Sequence, residues 1–432
     1  TLDADDLTNA TVTLSGGSYK VKDSASSIAS LTTALFKDKV VETTGQSELS
    51  DIKTISDHAT SVSYKIKDSV SALTGSNKSL LQGIDVEIKD ATVSGQNYNT
   101  IITEINKQAG GKLTGKVLDD ISNLVAGNNY TLGTDVTANI ESDNQDISAL
   151  DLDTEIKKID LKGKKGVIFD IANIRTGGVN KSIQDTGGGG TYKYRDTGSA
   201  LSADAATIAL IKNQTVEVSG KVDMTDLKTI SDSATVAKTT ATLLEDTAKN
   251  LKDNKTLIAG TSGAKTVTLS SGTATASVYD EIYTEVKKTS GTFKAAVVDS
   301  VTGLTEAGKD LKDATSVIVE VTDATKDLTA VTFDSEVTRI NLKNTKDVKF
   351  SMAQLKGQAT TFIYDSGSKG SHLIEDSYSD IVDDSSTIAF ARKLLRNGTL
   401  VVTDQIDTTK LADLKSKITT NTKIFDIKKI KD

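Results

Sequence analysis

The chain repeats itself. A repeat limits the fold more than any other feature, because each unit must serve as the neighbour of the next. Val41–Thr60 (VETTGQSELSDIKTISDHAT) aligns without gaps on Val216–Thr235 (VEVSGKVDMTDLKTISDSAT), at an offset of 175 residues. Tyr98–Ile105 matches Tyr279–Val286 at an offset of 181, and Val117–Leu124 matches Val297–Leu304 at 180. Asp153–Lys162 matches Asp334–Lys343 at 181. Near the end, Leu400, Val402, Thr403, Asp407, Thr409 and Leu411 match Val216, Val218, Ser219, Asp223, Thr225 and Leu227. The order is kept throughout. The organisation expected is an N-terminal strand segment (1–18), a first copy (19–191), a second (192–361) and a partial third (362–432). Gly187–Gly190 is the natural joint if the copies are separate bodies.

A finer period lies inside each copy. Tyr19-Lys-Val-Lys-Asp-Ser returns as Tyr64-Lys-Ile-Lys-Asp-Ser, 45 residues later. These runs, with Val40–Thr43 and Ile84–Ile88, mostly alternate apolar and polar residues, as half-buried strands do. Between them Asp23 or Ser24 can cap a helix that carries Ile28, Leu31 and Leu35 on one face. Ser47 can cap another with Leu49, Ile52 and Ile55. Further on, Ile159-Asp-Leu and Val167-Ile-Phe, like Ile340-Asn-Leu and Val348-Lys-Phe, read as closely spaced strands. The pattern predicts a mixed, β-rich repeat protein: an elongated β-solenoid with short helices between strands. The alternative is a set of tandem compact α+β domains.

Composition narrows the function. The 432 residues contain no Pro and no Cys, where roughly 22 prolines would be usual. A proline in stacked strands would remove a ladder donor. Without Cys there is no disulfide framework, no thiolate nucleophile and no Cys-based metal site. Net charge is −8, and the basic residues include only five Arg (Arg175, Arg195, Arg339, Arg392 and Arg396). Both facts argue against a nucleic-acid surface. No apolar run approaches the ~18 residues that span a membrane. The chain opens on Thr1 without an initiator Met, which implies removal of a segment or a longer parent chain.

Asp196-Thr-Gly-Ser199 and Asp365-Ser-Gly-Ser368 look like the paired loops of a pepsin-like protease. Both follow a tyrosine (Tyr194, Tyr364), and the first copy offers Asp23-Ser-Ala-Ser at the like position, so a strand-to-helix cap explains them better. Gly187–Gly190 lacks the Gly-Lys-Ser/Thr of a phosphate loop. His58 aligns with Ser233 and reads as a surface residue, while His372 reads as structural. The acidic clusters are the remaining candidates. Asp143, Asp146, Asp151, Asp153, Asp380 and Asp383 are hard oxygen ligands at short spacing, which suits Ca²⁺, the one cofactor expected. The competing reading is a solvated acidic face.

The strand–Asp-Ser–helix units Val21-Lys-Asp-Ser-Ala-Ser-Ser-Ile28, Ile66-Lys-Asp-Ser-Val-Ser-Ala-Leu73 and Ile230-Ser-Asp-Ser-Ala-Thr-Val236 carry a resemblance. In them the chain resembles the repeat regions of large secreted bacterial surface proteins, S-layer-like and adhesin-like, of the cyanobacterial type. The resemblance implies export to the bacterial cell surface, no catalysis, and ordered assembly, in some cases with calcium. The expected role is a non-enzymatic structural protein that polymerises with itself, head to tail, as a filament or surface layer. Val401, Phe425 and Ile427 at one end, and Val12 and Leu14 at the other, are the assembly residues expected, since an open strand edge invites another strand. The second reading is an adhesin stalk or phage tail-fibre module that binds a cell-surface glycan. A repeat-fold lyase is the third.

Overall fold

Short alternating runs make the strands. Val21, Val41, Ile66 and Val86 each turn into the interior, at no more than 2% exposure. Their strands are Lys20–Asp23 (β1), Val40–Ser47 (β2), Ser61–Asp68 (β3) and Val86–Ile88 (β4), followed by Leu113–Thr114 (β5). They lie side by side in chain order, and every pair is parallel. Parallel neighbours need a crossover, which helices supply here. Leu49–Ser56 buries Leu49, Ile52 and Ile55, and Gly95–Ile105 buries Tyr98, Ile101 and Ile105. That spacing lays one apolar stripe against the sheet.

This architecture comes from a computed structural model. The residues it describes are 1–8, 19–128, 131, 133, 135–176, 179–305, 308–352, 354, 362–382, 398–417 and 425–427. They divide into two compact units, Thr1–Arg195 and Asp196–Asp432.

In the first unit a second parallel sheet follows β5. It joins Val117–Asp120 (β6), Val136–Asn139 (β7), Ile156–Asp160 (β8) and Ser182–Gln184 (β12). Val167–Phe169 (β9) pairs in parallel with Tyr192–Tyr194, the first part of Tyr192–Thr197 (β13). Arg175–Thr176 (β10) and Val179–Asn180 (β11) form an antiparallel pair. In the second unit Val216–Val222 (β14), Thr239–Asp246 (β15), Thr266–Leu269 (β16) and Thr292–Lys294 (β17) run parallel. Ala296–Ser300 (β18), Ser316–Glu320 (β19), Arg339–Asn341 (β20) and Phe362–Tyr364 (β22) form the next sheet. Val348–Phe350 (β21), His372–Asp376 (β23), Gly398–Val402 (β24) and Phe425–Ile427 (β25) form the last.

The expectation of an elongated β-solenoid is therefore corrected. The chain forms several small parallel sheets interleaved with helices, a mixed α/β fold. The α+β alternative fails on the same ground, because helices alternate with the strands. Short-range alternation was read correctly as strand. What it did not weigh is the helical share of the core: Gly95–Ile105, Met224–Ala234 and Ala276–Lys287 are each three turns long and bury five residues apiece.

The repeat is a repeat of structure. Strands β2 and β14 both shift register part-way, between Glu42 and Gln46 and between Val218 and Lys221. Gly45 and Gly220, 175 residues apart in sequence, sit in these bulges at the same φ of +70°. A side chain would strain that backbone. The Tyr98 hydroxyl donates to Leu113 O at 3.3 Å, and its counterpart Tyr279 to Phe293 O at 3.3 Å. Ile55 and Ile230 are equivalent and both fully buried. Ile55→Ala and Ile230→Ala should each cost about 3 kcal/mol in denaturant unfolding; a loss at only one site would show that the copies do not pack alike.

Candidate functional site

The polar atoms that organise the fold are aspartates at the ends of strands. In at least six steps among the described residues the same four-centre arrangement recurs. One carboxylate oxygen accepts from the next residue's own N–H, and the other accepts from the first helical N–H of the preceding step. Asp23 binds Ser24 N at 2.6 Å and Ala4 N at 2.9 Å. Asp68 binds Ser69 N at 2.7 Å and Leu49 N at 2.8 Å. Asp119 binds Asp120 N at 2.8 Å and Gly95 N at 2.9 Å. In the second unit Asp246 takes Thr247 N and Met224 N, Asp299 takes Ser300 N and Ala276 N, and Asp376 takes Ser377 N and Met352 N. The first N–H groups of a helix have no partner inside it. Here the neighbouring strand supplies one, and its negative charge suits a helix N-terminus.

The hydroxyl that follows has a separate task. Ser24, Ser69 and Thr247 each accept from the N–H three residues on and cap their own helix. The Asp-Ser pair thus joins two helices. The sequence reading found the cap and missed the longer reach, for which 19–24 residues separate the partners. It also chose Ser47 as a cap. Ser47 is buried, Glu48 holds the cap position without a side-chain bond, and Asp68 takes the Leu49 N–H instead.

A second carboxylate device occurs twice, at Asp185 and at Asp365. Asp185 accepts from Gly163 N at 2.6 Å and Gly190 N at 2.7 Å. Asp365 accepts from Asn344 N at 2.7 Å, Gly367 N at 3.2 Å and Gly370 N at 2.6 Å. The N–H of Gly190, with those of Gly163, Gly188 and Gly187, holds the Asp185 carboxyl below its ordinary value. Burial raises the Asp365 carboxyl, but the N–H groups of Gly370, Asn344, Gly367 and Lys369 outweigh it. Beneath them Asp160 Oδ1 accepts from Lys162 N and Thr186 N. Asn341 Oδ1 accepts from Lys343 N and Ser366 N in the same way. The counterpart of Asp365 is therefore Asp185, not Asp196. Asp196 accepts from Thr197 N at 2.7 Å, the same bond to the following N–H that the strand-end aspartates make. The two protease-like loops are different structures, and Gly187–Gly190 folds around a carboxylate, not a phosphate.

The expected calcium ligands are spread over such scaffold bonds. Asp143 is exposed and accepts from Lys165 N. Asp146 accepts from the Ser148 hydroxyl at 2.6 Å and the Arg195 guanidinium at 2.6 Å. The Ser148 hydroxyl above all, helped by the Ser148 N–H and Arg195, holds its carboxyl below the ordinary value against burial, which raises it. Asp151 is exposed and its carbonyl accepts from Ala126 N. Asp153 is buried and accepts from Glu155 N at 2.8 Å. Asp380 accepts from the Ser377 hydroxyl, and Asp383 lies outside the described residues. Among the described residues no three His, Asp or Glu side chains gather as metal ligands. His58 is exposed, with its ring edge-on to Phe36, and His372 is buried against Phe350.

Of the expected assembly residues, Val401 is buried inside its own sheet. Phe425 and Ile427 belong to β25, which pairs with Leu400–Val402. Val12 and Leu14 lie outside the described residues. At the other end Leu2 joins β1 as a parallel bridge, giving its N–H to Lys20 O and taking that of Lys22, both at 2.9 Å.

One cation was not anticipated. Lys265 is 1% exposed, and its ammonium donates to the carbonyls of Thr261 at 3.1 Å, Ser262 at 2.5 Å and Gly263 at 2.6 Å. Its place in the first copy is held by an apolar residue, Ile84, so no sequence pattern marks it. Burial lowers the ammonium from 10.5 to about 8. The folded chain then binds fewer protons than the unfolded one between those values, so this group's share of stability rises with pH across that window. Lys265→Met should remove the rise, and should cost about 1–3 kcal/mol at pH 7 by stranding three carbonyls. Melting of both proteins at pH 7 and 9.5 checks this. Burial also raises the Tyr194 and Tyr279 hydroxyls, so stability should fall again at pH above the ordinary tyrosine range.

No family model, curated protein or solved structure matches the chain. No helix among the described residues is long and apolar enough to cross a membrane.

Proposed function

We propose that the protein is a non-enzymatic structural component of a bacterial cell surface, a protomer that associates with copies of itself. The observation that carries this reading is the polarity of the strand edges. The strand pairs described in the sheets of three or more strands are parallel. At one end Leu2 adds to β1 in parallel, and β25 is the edge of its sheet among the described residues. A strand edge of one copy can therefore receive the edge of another in the parallel orientation that these sheets use. Side-chain stickiness contributes little, since Val40 and Leu243 are the large apolar residues exposed among those described. The aspartates are engaged as scaffold, which also favours a structural role over a catalytic one.

Electron microscopy of the purified chain over a concentration series tests the proposal. Filaments or sheets with one regular spacing are expected. Monodisperse particles at every concentration would move the reading to an adhesin or fibre segment. Calcium, then chelator, would show whether the acidic residues outside these scaffold bonds add a metal-dependent contact.

A further inference from the structure

A buried ammonium group usually has a carboxylate beside it. Lys265 does not follow that rule. Its basicity is lowered by burial, and no neighbouring charge contributes among the described residues. What faces the ammonium is a turn of main chain: Thr261 O at 3.1 Å, Ser262 O at 2.5 Å and Gly263 O at 2.6 Å. The turn follows the helix Lys255–Gly260. Carbonyls at that end of a helix lack partners within it and lie at its negative pole.

The turn is held in shape without the ammonium. Thr261 N donates to Leu257 O at 3.1 Å and Ser262 N to Thr239 O at 2.9 Å. Gly263 turns the chain at φ +92°, which suits glycine. The main chain of Lys265 is fixed on both sides: its N–H donates to Thr289 Oγ1 at 3.3 Å, and its carbonyl accepts from Thr292 N at 2.7 Å. The first copy gives the contrast. Leu80, Leu81 and Ile84 stand 181 residues before Thr261, Ser262 and Lys265. There the Tyr64 hydroxyl donates to Leu80 O at 2.7 Å, and Ile84 N donates to Leu81 O at 3.1 Å. Neutral donors serve that turn. In the second copy three carbonyls converge on one point, and a cation stands at it.

We propose that the Thr261–Gly263 turn is a monovalent-cation site that the chain fills with its own Lys265 ammonium, and that it takes potassium or a small alkylammonium ion from solution once that side chain is shortened. Carbonyl oxygens that converge on one point replace the hydration shell of such an ion, and potassium is close to an ammonium group in size. The class is monovalent because the donors are uncharged; calcium sites draw on carboxylates. The inference does not depend on self-assembly.

Lys265→Val tests the site, since the first copy carries the β-branched Ile84 at this position. Denaturant unfolding is followed in potassium, methylammonium and choline chloride at equal ionic strength. Choline is bulky and has no N–H to donate. At salt about ten times the dissociation constant, potassium and methylammonium should each raise the folding equilibrium constant of Lys265→Val about tenfold over choline. The wild-type chain, and Lys265→Met, whose side chain occupies the space without charge, should show no preference among the salts. The proposal is overturned if the salts act alike on Lys265→Val, or if Lys265→Met responds as strongly. The wild-type chain also gives a reading that needs no variant. In protein labelled with 15N-lysine, the Lys265 ammonium protons should exchange at least about tenfold more slowly than those of Lys249, whose side chain is 81% exposed. Equal rates would mean that the carbonyls do not hold the ammonium, and would overturn the proposal even if Lys265→Val fails to fold.

Discussion

Asp246→Ala should lower stability by about 3 kcal/mol, more than most single substitutions of a polar residue. The carboxylate is 7% exposed and accepts from three donors: Thr247 N at 2.6 Å, Met224 N at 2.9 Å and Asn250 Nδ2 at 3.0 Å. Truncation strands all three where water has little access, and each buried donor left unmade costs its desolvation. Asp246→Asn separates charge from geometry. One amide oxygen can still accept, while the NH₂ now faces a donor, so about half the loss should remain. Denaturant unfolding measures both. A loss below about 1 kcal/mol for the alanine variant would mean that the helix start at Met224 does not depend on the next strand.

The second large effect is expected at Gly187. A Cβ there would lie 2.3 Å from Lys162 C and 2.4 Å from Gly163 N, which are backbone atoms of the neighbouring turn and cannot swing aside. That turn is itself constrained, with Lys162 at φ +53° and Gly163 at φ +77°. Gly187→Ala should cost about 2–3 kcal/mol and should release the Gly163 and Gly190 N–H groups from Asp185. Gly188→Ala is the control. Its Cβ would meet nothing, so only its φ of +74° resists the change, and the loss should be about 1 kcal/mol. Gly367 repeats the crowding of Gly187, but against the Asn344 side chain. Gly367→Ala should therefore be the milder of the two, because a side chain can rotate away.

These expectations show which parts of the molecule could be read from residues alone. Strand positions such as Val21 and Val41, and helical stripes such as Leu49, Ile52 and Ile55, follow from local period, and local period is visible in one sequence. The repeat was visible for the same reason. The sheet architecture was not, because alternation within a strand says nothing of how many strands share a sheet or how much core the helices supply. The staples escaped for a related reason. Asp68 and Leu49 are 19 residues apart, and nothing local distinguishes an aspartate that caps its own helix from one that caps its neighbour's. Asp365 was read as a strand-to-helix cap for a chemical reason: Asp-Ser after a strand suits a helix cap and a carboxylate-centred loop equally well. The frame of equivalence with Asp185 decides between them, and that frame needs Asn341 and Asp160 in place. Lys265 carried no signal at all, since a lone lysine in a Ser-Gly-Ala-Lys turn is ordinary on a surface.

The most direct test of the account is hydrogen exchange at the first helical amides, Ala4, Leu49, Gly95, Met224, Ala276 and Met352. Such groups ordinarily face water and exchange quickly. If strand-end aspartates bind each step to the one before, these six amides will be protected nearly as well as the strand interiors beside them, and Asp246→Ala will expose Met224 while leaving Leu49 protected. Rapid exchange at all six in the folded wild-type chain would contradict the account.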